Sequence, residues 1–218
     1  MSLSAVVFDL DGTLLDTLED LADSMNKVLT DAGYPAHPVD PYRYFVGDGM
    51  ENLARRAAPV GTDDKTVKAL AANMGAVYEK NWRNKTRPYS GVIELLDRIG
   101  NAGISMAVLS NKPDVFTQAM VKHYFGDDCF RAVNGQMDGV PKKPDPAGAI
   151  AIANAFGIPR ERFLYLGDTN TDMLTGVAAG MRTIGVSWGF RPVEELNQAG
   201  AKGIIDHPLE ALGLLGIG

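Results

Sequence analysis

The apolar positions of this chain change their period along its length, and each change predicts a different element. Ala5-Val6-Val7-Phe8 is an apolar run without alternation, the pattern of a strand buried on both faces of a parallel sheet. From Leu18 the spacing turns helical, through Leu21, Ala22, Met25, Val28, Leu29 and Ala32, with Asp16 or Thr17 as N-cap and Gly33 as stop. Tyr34 to Pro41 reads as a proline-punctuated loop. A second helix is predicted after Val46-Gly47-Asp48-Gly49, carrying Met50, Leu53, Ala54 and Ala57. A third starts at Thr62 or Asp63 and buries a stripe from Val67 to Trp82. Asp16 to Lys85 is therefore expected to be all-helical and to hold no strand.

From Pro88 onward strand and helix alternate. Helices are predicted over 92–102, 114–124, 146–156, 172–179 and 193–198, with a last one from Leu209. Strands are predicted over 104–109, 131–133, 163–166, 183–186 and 204–205. Such alternation implies βα units and a parallel sheet, hence an α/β class. The helical block interrupts that unit after its first strand. The expected organisation is a core of residues 1–15 and 87–218 with a helical domain of 16–86 inserted into it. Two chain crossings make a hinge, and a small domain over a sheet edge makes a lid.

Composition adds limits. A hydrophobic content of 45% and a charged content of 22% suit an ordinary globular core. The net charge of −6 speaks against a nucleic-acid or anionic-membrane partner. Cys129 is the one cysteine, which excludes an internal disulfide and fits a reducing compartment. Without an apolar run of spanning length or a signal core, a cytoplasmic location is expected, as monomer or homodimer.

The candidate chemistry lies at strand ends. Asp9 and Asp11 sit two residues apart directly after the first strand, so both can face out of the sheet edge. Carboxylates end a buried strand at a cost unless partnered, and a divalent cation is one partner; an acidic turn closed by Gly12 is the plainer reading. Ser110-Asn111-Lys112 follows the strand ending at Leu109, and Asp168 and Asp172 follow the strand ending at Leu166. Lys142 and Lys143 sit on a proline-stiffened loop. Singly these are caps, turns and solvated charges. Jointly they place acid, hydroxyl, amide and lysine at one edge of one sheet, where open α/β sheets bind ligands.

Asp9-Leu10-Asp11-Gly12-Thr13-Leu14, then Ser110, Lys143-Pro144-x-Pro146 and Gly167-Asp168-x-x-x-Asp172, resemble in order the four motifs of the haloacid dehalogenase-like hydrolases. The resemblance covers essentially the whole chain. It implies a Rossmann-like three-layer domain with a helical cap, and hydrolysis of a phosphate monoester through an aspartyl phosphate. By that resemblance Asp9 is the nucleophile and Asp11 the acid and base. Ser110 and Asn111 donate hydrogen bonds to the phosphoryl oxygens, Lys143 stabilises their charge, and Thr13 approaches the leaving group. Mg²⁺ is the implied cofactor, held by Asp9, Asp11 through its carbonyl, and Asp168, with Asp172 in an indirect contact. The cap segment Val46–Gly49 is similar to that of phosphoglycolate phosphatases, which implies a small phosphorylated metabolite such as 2-phosphoglycolate. A pyrophosphatase, a nucleotidase or a β-phosphoglucomutase is the alternative within the resemblance, and a phosphoacceptor signalling module is the remote one.

Overall fold

A computed structural model describes residues 2–218. Its centre is a six-stranded parallel sheet of β1 (Ala5–Phe8), β4 (Ser105–Pro113), β5 (Ala132–Gln136), β6 (Phe163–Gly167), β7 (Arg182–Val186) and β8 (Ile204–Ile205), in the order β5-β4-β1-β6-β7-β8. β1 pairs with β4 on one side and β6 on the other, so the first strand lies mid-sheet and all four of its residues are buried. That position explains its unbroken apolar run.

The alternate faces of β1 feed two layers. Val6 and Phe8 pack toward α5 (Val92–Asn101), α6 (Asp114–Phe125) and α10 (Glu210–Leu215). Ala5 and Val7 pack with α7 (Ala147–Phe156) and with Ala179 and Met181, which follow α8 (Asn170–Ala178). α9 (Val193–Gln198) packs against β7. Each large apolar side chain taken from water in these layers contributes about 1.5–3 kcal/mol before entropy is counted.

A second core belongs to α1 (Leu18–Asp31), α2 (Tyr42–Phe45), α3 (Met50–Ala57) and α4 (Asp64–Asn81). The chain leaves and re-enters the sheet domain through a two-stranded antiparallel ribbon, β2 (Leu15–Asp16) with β3 (Arg87–Pro88). Asp20, in the first turn of α1, is buried. Its carboxylate accepts the N–H of Lys85, the N–H of Thr86 and the Thr86 hydroxyl at 2.8–3.0 Å, tying the return crossing to the outgoing one.

Four expectations need correction. Asp16 lies in a strand, not in the helical block, because it pairs with Arg87. α2 stands where only loop and spacing were read; one turn carries no period. β4 runs through the polar residues 110–113 instead of stopping at Leu109, with a register shift against β5 between Leu109 and Pro113. α8 starts at Asn170: Thr169 is its N-cap, and Asp172 closes a capping box from the third helical position.

Candidate active site

The site is built where β1, β4 and β6 end side by side. Asp9 extends β1 by one more pairing, its N–H donating to Leu166 O at 2.9 Å. Its carboxylate, that of Asp168 beyond β6 and that of Asp172 in the first turn of α8 converge, each offering an oxygen within 4.8 Å of the others. Lys143 Nζ donates to Asp9 Oδ1 at 2.8 Å, Asp172 Oδ1 at 2.6 Å and Leu109 O at 3.0 Å. Of the paired lysines Lys143 is the buried one, at 6% exposure, whereas Lys142 is exposed.

Asp168 is fully buried and clamped. Thr13 Oγ1 donates to its Oδ1 at 3.0 Å, and the N–H of Phe190 to its Oδ2 at 2.8 Å. Two glycines allow its position: a Cβ on Gly12 would lie 2.2 Å from Asp168 Oδ2, and one on Gly189 2.1 Å from Asp168 Cβ. Asp172 spends both oxygens locally, Oδ1 on Lys143 and Oδ2 on the N–H and hydroxyl of Thr169 at 3.1 and 2.6 Å. Asp9 differs, since among the described residues its Oδ2 accepts no hydrogen bond.

The electrostatics follow from burial. Desolvation and the neighbouring Asp172 push the Asp9 carboxyl up to about 7 against the pull of Lys143. Asp168 is also held well above the carboxylate range, by desolvation first and then Asp172 and Asp9. Burial alone would lower Lys143, yet Asp172 and Asp9 outweigh it and keep its ammonium charged. One lysine thus faces three carboxylates. This hard-oxygen cluster, short of positive charge, fits a divalent cation such as Mg²⁺.

Asp11 stands apart from the three. Its carboxylate is gripped by Lys112 Nζ at 2.8 and 3.0 Å, and that ammonium sits 4.7 Å from the centroid of the Tyr78 ring. Ser110 lines the same cavity, its Oγ accepting the N–H of Lys112 at 3.2 Å. Asn111 departs from expectation. Its amide donates to Gly47 O and Lys143 O at 3.0 Å each, and its Oδ1 accepts the N–H of Lys143 at 2.9 Å. Both amide hydrogens are committed, so the side chain fixes the lysine loop and has none left for a phosphoryl oxygen. From the helical block Leu21, Val46, Met50 and Leu53 add apolar lining to the cavity that Asp9, Asp11, Ser110 and Lys143 line.

Residues without a sequence signal complete the site. Trp188 Nε1 donates to Thr13 O at 3.0 Å, and Gly189 and Phe190 set Asp168. Arg83 stacks near Trp82 and Arg87 faces Asp16, so neither lines the cavity.

Known proteins sharpen this picture. Residues 6–186 match the family model of the haloacid dehalogenase-like hydrolases. The chain is 33% identical over 198 residues to a phosphoglycolate phosphatase of Pseudomonas putida, covering 87% of this chain and 72% of that one. It is 33% identical to one of Psychrobacter arcticus over 91% of this chain and 89% of that one. A crystal structure described as a predicted phosphoglycolate phosphatase from Haemophilus somnus superposes with a TM-score of 0.92 at 27% identity, over 98% of both chains. The converging carboxylates at the end of β1 thus sit in a known lineage: the chain belongs to the haloacid dehalogenase-like hydrolases.

Proposed function

We propose that this enzyme hydrolyses a small phosphate monoester through an aspartyl phosphate on Asp9, and that its substrate is 2-phosphoglycolate. The observation that carries the reading is Asp9 itself: a carboxylate at the end of the central strand with one oxygen fixed by Lys143 and the other unengaged. Phosphate monoesters hydrolyse so slowly in water that accelerations of up to ~10²¹ are known. A carboxylate nucleophile divides that barrier into two lower ones.

In this reading Asp9 Oδ2 attacks phosphorus, and the ester oxygen leaves with a proton from Asp11. Asp11 then takes a proton from the water that attacks the acyl phosphate, returning Asp9 and releasing phosphate. Lys143 and the Ser110 hydroxyl stabilise charge on the transferring group. Asn111 keeps Lys143 in register. Asp9, the Asp11 carbonyl and Asp168 would hold Mg²⁺, while Asp172 acts through its hold on Lys143. When bound, the cation lowers the repulsion between nucleophile and phosphate and holds a phosphoryl oxygen.

The helical block, residues 16–86, acts here as a cap that excludes water over the core of 1–15 and 87–218. Lys112, the second buried cation of the cavity, and the names of the relatives support a small anionic substrate. The free Cys129 supports a reducing, cytoplasmic setting.

Phosphate release from a panel of small monoesters with Mg²⁺ tests the proposal. The expected result is the highest kcat/KM for 2-phosphoglycolate and its loss in Asp9→Asn. No release from any monoester, or undiminished turnover by Asp9→Asn, overturns it.

A further inference from the structure

The loop after β7 touches three parts of the molecule at once. The N–H of Phe190 and the close wall of Gly189 set Asp168, as described above. Trp188 holds the carbonyl of Thr13, whose hydroxyl holds the other oxygen of Asp168. Toward the cap, the Phe190 side chain is buried in the core of α1–α4. Gly189 O accepts from Arg43 Nη1 of α2 at 2.9 Å, and the Arg191 guanidinium lies 4.6 Å from the centroid of the Tyr44 ring. Arg191 Nε is buried without a hydrogen-bond partner, so the guanidinium faces the cap through the Tyr44 ring.

The decisive geometry is a single peptide unit. Gly189 C=O and Phe190 N–H belong to the same plane, and a trans peptide directs them to opposite sides. The cap arginine grips one end and the carboxylate of Asp168 accepts from the other. The unit is rigid, so it cannot turn at the cap end without turning at the carboxylate end. Asp168 has no slack to absorb that turn, since Gly12 and Gly189 already approach it as closely as a missing Cβ allows.

We propose that the Gly189–Phe190 peptide is a lever that couples the seating of the cap to the cation affinity of the Asp9–Asp168–Asp172 cluster, with Arg43 as its positioning residue. The proposal rests on the divalent cation of the preceding reading. By linkage the coupling is reciprocal: a seated cap tightens cation binding, and a bound cation holds the cap down.

Titration of the metal-free full-length protein with Mn²⁺, followed by the electron paramagnetic resonance of free ion, reads the affinity without any turnover. Arg43→Ala is expected to weaken binding by roughly fivefold or more, the lower end of site-to-site coupling. Arg43→Lys, which keeps a donor, recovers part of the loss. Arg55→Ala removes a cap arginine that among the described residues pairs only with Glu51 and Asp64, and it leaves the affinity unchanged. Hydrogen exchange supplies the reverse reading: Mn²⁺ slows exchange in Tyr42–Val46 of the parent and not of Arg43→Ala. Parent-like affinity in Arg43→Ala, with or without a lowered melting temperature, overturns the lever while leaving the cation reading intact. Absence of Mn²⁺ binding by the parent protein overturns both.

Discussion

Gly12 shows how much of the site depends on an atom that is missing. Its φ of +87° is a conformation that side chains avoid, and its open side is filled by the carboxylate of Asp168. Gly12→Ala therefore meets two penalties, a backbone strain of about 1–2 kcal/mol and a displaced Asp168. Misplacing a reacting constellation by about 1 Å can cost ~10²-fold in rate, so phosphatase activity of Gly12→Ala is expected to fall by about that factor. Gly33 separates the two penalties. Its φ is +79° with nothing within 4 Å of a built Cβ, so Gly33→Ala should lower stability by the same backbone strain of about 1–2 kcal/mol and leave kcat alone. Equal activity losses in the two variants would refute the steric account. The charged residues Asp9, Asp11, Lys143, Asp168 and Asp172 were legible because acid and lysine at strand ends need a reason to be there. Gly189 and Phe190 act through a backbone N–H and an absent side chain, which residue identity does not encode. Asn111 was legible as a member of the site, but its partners depend on the fold of the loop carrying Lys143.

At the scale of elements the ribbon and the first turn of α1 make the joint between the helical block and the sheet. β2 and β3 are two residues each and carry Asp16 and Arg87, so the apolar runs that revealed the main sheet, down to the pair Ile204-Ile205 of β8, had no counterpart there. β4 outran its apolar stretch because Ser110, Asn111 and Lys112 are buried by the polar groups of the site, and hydropathy does not mark burial of that kind. The joint has one buried anchor, Asp20. With Asp20→Ala the N–H groups of Lys85 and Thr86 lose a charged acceptor, and the Thr86 hydroxyl loses its bond. An unpaired buried donor costs about 1–3 kcal/mol, and part of this ribbon remains within reach of water. A loss of roughly 2–4 kcal/mol is expected, seen as a lower urea midpoint with an unchanged m-value. A shift below about 0.5 kcal/mol, the range of ordinary surface changes, would mean that the crossings are held by packing alone.

Over the whole molecule, the inserted block was legible because a stretch with helical period broke an otherwise regular strand–helix alternation. How the block seats on the sheet was not, since Arg43 meets the Gly189 carbonyl from 146 positions away and not through any local pattern. The same assembly crowds three carboxylates around one lysine, and this gives the folded protein a pH dependence of defined sign. Asp9 is raised from an ordinary value of 3.8 to about 7, and Asp168 is raised as well. The folded state therefore keeps protons that the unfolded chain has released. Stability from these groups is fully present below the ordinary carboxylate value and is lost as pH rises through about 7. Metal-free protein in chelator should melt at progressively lower temperature from about pH 5 to about pH 8, and Asp9→Asn should flatten that decline. A cation that binds the deprotonated cluster stabilises the folded state by mass action. The gain in melting temperature on adding Mg²⁺ should accordingly be larger at pH 8 than at pH 5. A gain that is constant across that range, or a chelated protein whose melting temperature rises with pH, would show that these carboxylates are already ionised in the folded cluster and that Lys143 alone balances them.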